Sequence, residues 1–265
     1  MRSKAFLVCT ALFAGVIATS SHVGATPPGS PPTVGTEFPE DFPVILDAST
    51  GEAVIGFGGS GKVRRTPVIF LHGNNDTPYP TICNPFGSVQ SIAQFFADNG
   101  YGAGELWGLG YQGNQCDLAG DPTIRSGETH TVSANVDDLR RFVDAVLEYT
   151  GKQRVDIVAH SLGVTLAREW MRQDGAHRRV RHLVGIAGPE HGIINCSPNP
   201  LNYFQLPSQG GFTPNSPVCR ELGTERTPLL TTLNSDETPK PTKYLMLRNA
   251  DSDFVYIPAL DGVLP

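Results

Sequence analysis

Ser161 stands in Ala159-His160-Ser161-Leu162-Gly163, a small-x-Ser-x-small run that follows the apolar Val155-Asp156-Ile157-Val158. A serine hydroxyl can do covalent chemistry on a carbonyl when a sharp strand-to-helix turn holds it out. The residues two before and two after it must then be small, because a larger side chain would strike the turn. Ala159 and Gly163 meet that demand. Beyond the turn, Val164, Leu166, Trp170 and Met171 recur at helical spacing. A helix N-terminus, with its partial positive charge, is therefore expected behind Ser161, where an oxyanion is stabilised. Alone, a match of this length also describes an ordinary strand-to-helix corner.

A second run supplies context. Pro67-Val68-Ile69-Phe70-Leu71 reads as a buried strand entering His72-Gly73-Asn74-Asn75, upstream of the serine by the length of two strand-and-helix units. That is the place of an oxyanion loop, and the backbone N–H groups of Asn74 and Leu162 are the candidate oxyanion donors. His72, placed before glycine in that loop, reads as structural.

The runs Val68 to Asn74, Tyr149 to Ser161, and Ile186-Ala187-Gly188-Pro189 together resemble the small secreted bacterial lipases of the α/β-hydrolase fold, of the class 2 type. They are also similar to a relative of these, the extracellular polyhydroxybutyrate depolymerase whose nucleophile sits in an Ala-His-Ser-x-Gly elbow. The resemblance runs from Pro67 to the C-terminus and specifies fold and reaction type more closely than substrate. It implies hydrolysis of a small-molecule or polymeric carboxylic ester through an acyl-serine, with no metal or organic cofactor. Lipid esters are the first substrate expected and polyhydroxyalkanoate the second.

The resemblance also places a triad acid at the end of the strand Tyr244 to Arg248, where Asp253 is the first choice and Asp251 a close second. Serine, acid and histidine follow one another along the chain in this fold. None of the seven histidines (His22, His72, His130, His160, His177, His182, His191) follows Asp253. The base is therefore expected beyond Pro265, the sheet is expected to lack its last strand and helix, and turnover by the sequence as it stands is expected to be low. His191 precedes the acid and reads as a rim residue. A secreted binding protein that keeps the scaffold without turnover is the alternative from a different class.

Around these motifs the elements alternate as strand and helix, which predicts an α/β fold with a mostly parallel, doubly wound sheet flanked by helices. Ser88 to Asn99 is expected as a helix with Ile92, Phe95 and Phe96 inward. A second helix runs from Val132 to Gly151 with Val136, Leu139, Phe142, Val143, Val146 and Leu147 on one face. Its Asp137-Asp138 and Arg140-Arg141 read as a solvated face. The stretch from Gln112 to Thr131 is expected as loop, and residues 43–57 as an edge hairpin. The long segment from Ile193 to Pro241, with a turn of helix around Leu229 to Leu233, is expected to roof the site and offer Leu201, Tyr203, Phe204 and Phe212 to an apolar substrate.

The N-terminus reads as an address. Arg2 and Lys4 precede an apolar run from Ala5 to Ile17, and Val23-Gly24-Ala25 offers a cleavage site, so residues 1–25 are expected to be a secretory signal peptide. Residues 26–62 form a Pro/Gly-rich lead-in and the edge hairpin, and residues 63–265 the hydrolase domain. Loss of Arg2 and Lys4 takes Lys+Arg from 20 to 18 against 26 acidic residues, so the formal charge goes from −6 to −8. An acidic chain of this kind has no footprint for nucleic acid, and stable membrane insertion is not expected. Four cysteines remain, and Cys83 with Cys116 and Cys196 with Cys219 is the expected pairing, since each pair would brace neighbouring loops.

Overall fold

The structure is a computed structural model and describes residues 32–87, 89–121, 127–197 and 206–248. The expected signal peptide, Leu201, Tyr203, Phe204, Asp251 and Asp253 lie outside the described residues.

Six strands form one sheet: β1 (Ile55–Phe57), β2 (Val68–Leu71), β3 (Leu106–Gly110), β4 (Val155–His160), β5 (Val180–Ile186) and β6 (Lys243–Leu247), in the order β1-β3-β2-β4-β5-β6. Only the β1–β3 pairing is antiparallel. All four residues of β2 are buried. A parallel strand covered on both faces needs such a continuous apolar run.

Alternation along each strand sorts these side chains into two layers. Ile69, Leu71, Ile157 and Ala159 point into the larger core, with α3 (Val132–Thr150) and α4 (Leu162–Gln173). Val68, Phe70 and Val158 point into the smaller one, beneath α1 (Val89–Asp98). The helix α3 starts at Thr131, whose hydroxyl accepts from the Ala134 N–H, and stops at Gly151, at φ 66°. A carboxylate also supports its first turn: Glu221, on α5 (Pro217–Leu222), accepts the Val132 N–H at 2.6 Å. The expected turn near Leu229 is α6 (Pro228–Leu233).

Four expectations need correcting. Small Val89, Ala93 and Ala97 form the buried face of α1, and Phe95 is exposed. The close approach of α1 to the sheet favours small side chains over a large ring. Asp138 is fully buried, unlike its exposed neighbour Asp137, because the chain at Ala48 crosses α3 and donates its N–H to the Asp138 carboxylate at 2.9 Å. The expected edge hairpin is reduced to one bridge, Leu46 with Ala53, and its second half joins the sheet as β1 against β3. Finally, the segment read as loop after Gln112 contains a short helix, α2 (Cys116–Gly120), beginning at a cysteine that is disulfide-bonded.

Among the described residues β6 is an edge of the sheet, and Leu245, Met246 and Leu247 are exposed along it.

Candidate active site

Because β2 and β4 are parallel neighbours in register, Leu71 opposite Ala159, their carboxyl ends lie side by side. The loop after β2 and the turn after β4 therefore meet at one end of the sheet, which is where open α/β sheets bind ligands.

Ser161 has φ 50° and ψ −124°, a backbone conformation that a residue with a side chain adopts only under constraint. Strain of this kind costs on the order of 1–3 kcal/mol. Two backbone hydrogen bonds hold it: the Ser161 N–H donates to Ile186 at the end of β5, and the Ser161 carbonyl accepts from Val164, both at 2.9 Å. Ser161 is the N-cap of α4, yet its side chain does not cap the helix. Leu162, the candidate oxyanion donor, is the first residue of that helix, so its N–H has no partner one turn back.

Glycine permits the contact between turn and loop at two places. A Cβ on Gly163 would lie 2.6 Å from the His72 carbonyl oxygen, and one on Gly73 would lie 3.0 Å from Ser161 Cβ and 3.1 Å from His160 Nδ1. The loop after β2 therefore lies directly against Ser161.

His72 is a structural residue. Its Nδ1 donates to the Gly73 carbonyl at 2.7 Å, its ring stacks on Tyr111 at 4.1 Å between centroids, and the Tyr111 hydroxyl donates to the His72 carbonyl. Complete burial lowers its affinity for a proton, with the Gly73 hydrogen bond opposing the shift. Burial likewise lowers His160, with the nearby Asp76 charge opposing the shift.

Asn74, the other candidate oxyanion donor, is clamped through its side chain. Its Nδ2 donates to the Gly210 carbonyl at 2.9 Å, and its Oδ1 lies 3.3 Å from His130 Nδ1. Asn75, at φ 57°, donates from Nδ2 to the Gln209 carbonyl at 2.6 Å and from its backbone N–H to the Gln112 side-chain oxygen at 3.3 Å. Loop 206–213 is thus tied to the loop after β2, and Phe212, expected to face substrate, packs against the core. The sequence reading did not single out His130, Tyr111 or Gln112, whose only local signals were a buried histidine and two residues bordering a turn.

The two disulfides brace these loops. Cys83–Cys116 joins the loop after β2 to α2, and Cys196–Cys219 joins the chain after β5 to α5.

The remaining described histidines stand apart from this arrangement. His182 pairs with Asp156 at 2.8 Å, both near the amino ends of their strands, and His177 lies 3.4 Å from the Tyr244 hydroxyl. His191 sits past the end of β5, its Nδ1 3.3 Å from Glu225. Next to it Glu190, held toward its neutral form by burial, faces the field of the buried Arg168 of α4. Arg168 Nη2 bonds Leu233 and Asn234, and Asn234 in turn donates to the Glu190 carbonyl at 2.7 Å, which fixes the segment after β5 to the serine helix and to α6. Among the described residues, no group of three or more His, Cys, Asp or Glu side chains could hold a metal ion, and no helix is long and apolar enough to cross a membrane.

The fold is similar to that of phospholipase PlaB from Legionella pneumophila, with 20% identity and a TM-score of 0.50 over 71% of this chain and 39% of that one. It also aligns with the Bacillus licheniformis lipase BlEst2 in its mature form, at 16% identity and a TM-score of 0.49, over 72% of this chain and 70% of that one. This chain therefore spans well under half of PlaB. No protein of curated function matches the sequence. Residues 65–257, most of the chain, match the lipase (class 2) family. The strained serine between sheet and helix, the loop after β2 packed on it and this match agree: the chain belongs to the lipase (class 2) family.

Proposed function

We propose that this protein is a secreted serine hydrolase that cleaves lipid-like carboxylic esters through an acyl-serine intermediate. The observation that carries the reading is Ser161 at φ 50°, held above β4 at the start of α4 with Gly163 against the His72 carbonyl. Ser161 Oγ attacks the ester carbonyl carbon while its proton passes to a base. The oxyanion is received by the N–H groups of Asn74 and Leu162, and the tetrahedral species collapses, releasing the alcohol with the proton returned by the base. Water then attacks the acyl-serine by the same route and frees the carboxylic acid and the serine. Asp253, or Asp251 as second choice, would orient the histidine that acts as base. His72 is unsuited to that part, being fully buried, with its Nδ1 bonded to the Gly73 carbonyl and its proton affinity lowered by burial.

Export is supported by the basic-then-apolar N-terminus and by the two braced cysteine pairs, which suit an oxidising compartment. A lipid-like ester is supported by membership of a lipase family.

The test is covalent. A fluorophosphonate probe should label Ser161 in the protein and leave Ser161→Ala unlabelled, and in an active form of the protein p-nitrophenyl ester hydrolysis should follow the label. Hydrolysis that persists at the same rate in Ser161→Ala would overturn the assignment of the nucleophile.

A further inference from the structure

The hydrogen bonds around Asn74 have only one consistent polarity. The Gly210 carbonyl can only accept, so the Asn74 amide must turn its Nδ2 toward it at 2.9 Å and its Oδ1 toward His130 at 3.3 Å. Oδ1 can only accept, so His130 must carry its proton on Nδ1. His130 is fully buried, and its ring is packed close against Gly210: a Cβ there would sit 2.6 Å from His130 Nδ1, and Gly210 adopts φ 70°. A directional chain thus runs from His130 through the Asn74 side chain to the roof loop.

The peptide linking Gly73 to Asn74 is consequently pinned at both ends. On one side Gly73 lies against Ser161 Cβ and the His160 ring, and on the other the Asn74 side chain is held by His130 and Gly210. A peptide fixed at both flanking residues cannot rotate its N–H away from the serine, and preorganised donors are what stabilise an oxyanion without reorganisation.

We infer that His130 is a positioning residue for the reaction, acting through the Asn74 carboxamide to aim the Asn74 backbone N–H at the developing oxyanion. This rests on the reading of Ser161 as nucleophile and Asn74 as oxyanion donor. His130 exchanges no proton with substrate. Its role is to supply a buried donor at one fixed point.

Asparagine places an N–H where histidine places Nδ1, whereas phenylalanine fills the space without a donor. The experiment therefore compares the wild-type chain with His130→Phe and His130→Asn, first by thermal unfolding to establish that each folds. Two readouts follow: hydrogen exchange of the Asn74 backbone amide, and formation of the tetrahedral adduct between phenylboronic acid and the serine, followed by boron NMR. In His130→Phe, Asn74 exchange should rise at least tenfold and boronate affinity should fall by about tenfold, while His130→Asn recovers most of both. Where ester turnover is measured, the loss should appear in kcat and not in KM. Unchanged Asn74 exchange and unchanged boronate affinity in His130→Phe would overturn the inference. Should His130→Phe fail to fold, His130→Gln, which moves the donor to the Nε2 position, must reproduce the loss, and wild-type behaviour in His130→Gln overturns it equally. A boronate adduct in no form, the wild type included, would refute the serine-hydrolase reading, and with it the catalytic meaning of the contact.

Discussion

Gly163 and His72 approach so closely that a single added methyl on the glycine would stand 2.6 Å from the histidine's carbonyl oxygen. That oxygen belongs to a backbone stacked and bonded against Tyr111, so it has little room to retreat.

Gly163→Ala should therefore displace the oxyanion loop from the serine. Overpacking of this kind costs about 1–3 kcal/mol, and a misplaced oxyanion donor typically lowers turnover by about 10²-fold or more. Thermal unfolding and ester kinetics on the same preparation check both. Wild-type turnover in Gly163→Ala would mean the loop does not form the oxyanion hole.

The backbone at Ser161 predicts opposite effects on stability and activity. Glycine accepts φ 50°, ψ −124° without strain, so Ser161→Gly should raise stability by about 1 kcal/mol while removing nearly all ester hydrolysis. Ser161→Ala keeps the strain and should lose the activity alone. Calorimetry that finds Ser161→Gly no more stable than Ser161→Ala would contradict a strained elbow.

The braced loops make stability sensitive to redox state. Cys83–Cys116 and Cys196–Cys219 close segments with sequence separations of 33 and 23, for which constraint of the unfolded chain is worth about 3 kcal/mol each. Cys196→Ser with Cys219→Ser, which removes one bond, should lower the unfolding midpoint by roughly 10 °C, and reduction of both bonds should lower it by roughly twice that. An unchanged midpoint under dithiothreitol would show that these bonds constrain nothing.

Asp138 should make stability depend on pH. Burial pushes its carboxyl up to about 6, with the Asp47 charge reinforcing the shift and the Ala48 N–H and Arg141 opposing it. A raised folded-state value means the native state binds the proton more tightly than the unfolded chain does. This group's contribution is therefore complete below about pH 4 and is lost as pH rises through about 6. Asp138→Asn, neutral throughout, should flatten that decline by about 2–3 kcal/mol. Parallel pH profiles for the two proteins would remove Asp138 as the cause.

The elbow was legible in the sequence because its constraints are local: one strained angle and one close approach dictate Ala159, Ser161 and Gly163 within five residues. The buried strand at Val68 to Leu71 was legible for a similar reason, since burial on both faces leaves no polar position. The pairing of cysteines followed from loops adjacent in the alternation of strand and helix, and the structure has both pairs. What escaped depends on distant crossings. Asp138 looked like part of a charged face until Ala48 was found across it, and Glu221 gives no sign in its own helix of capping α3. His130 touches Asn74 across 56 residues of sequence, and Asn74 touches Gly210 across 136, so no periodicity or motif could link the three.

The pairing of β2 with β4, Val68 opposite Asp156, has a further consequence for how the molecule comes into being. Partners this far apart in sequence, with β3 inserted at the outer side of β2, close only after a large loop entropy has been overcome, and sheets built this way fold slowly, in milliseconds to seconds. Ser161 and the loop after β2 are thus synthesised as separate segments that meet only when the centre of the sheet zips. Reactivity toward a serine-directed probe should appear in a refolding reaction with the phase in which the sheet forms.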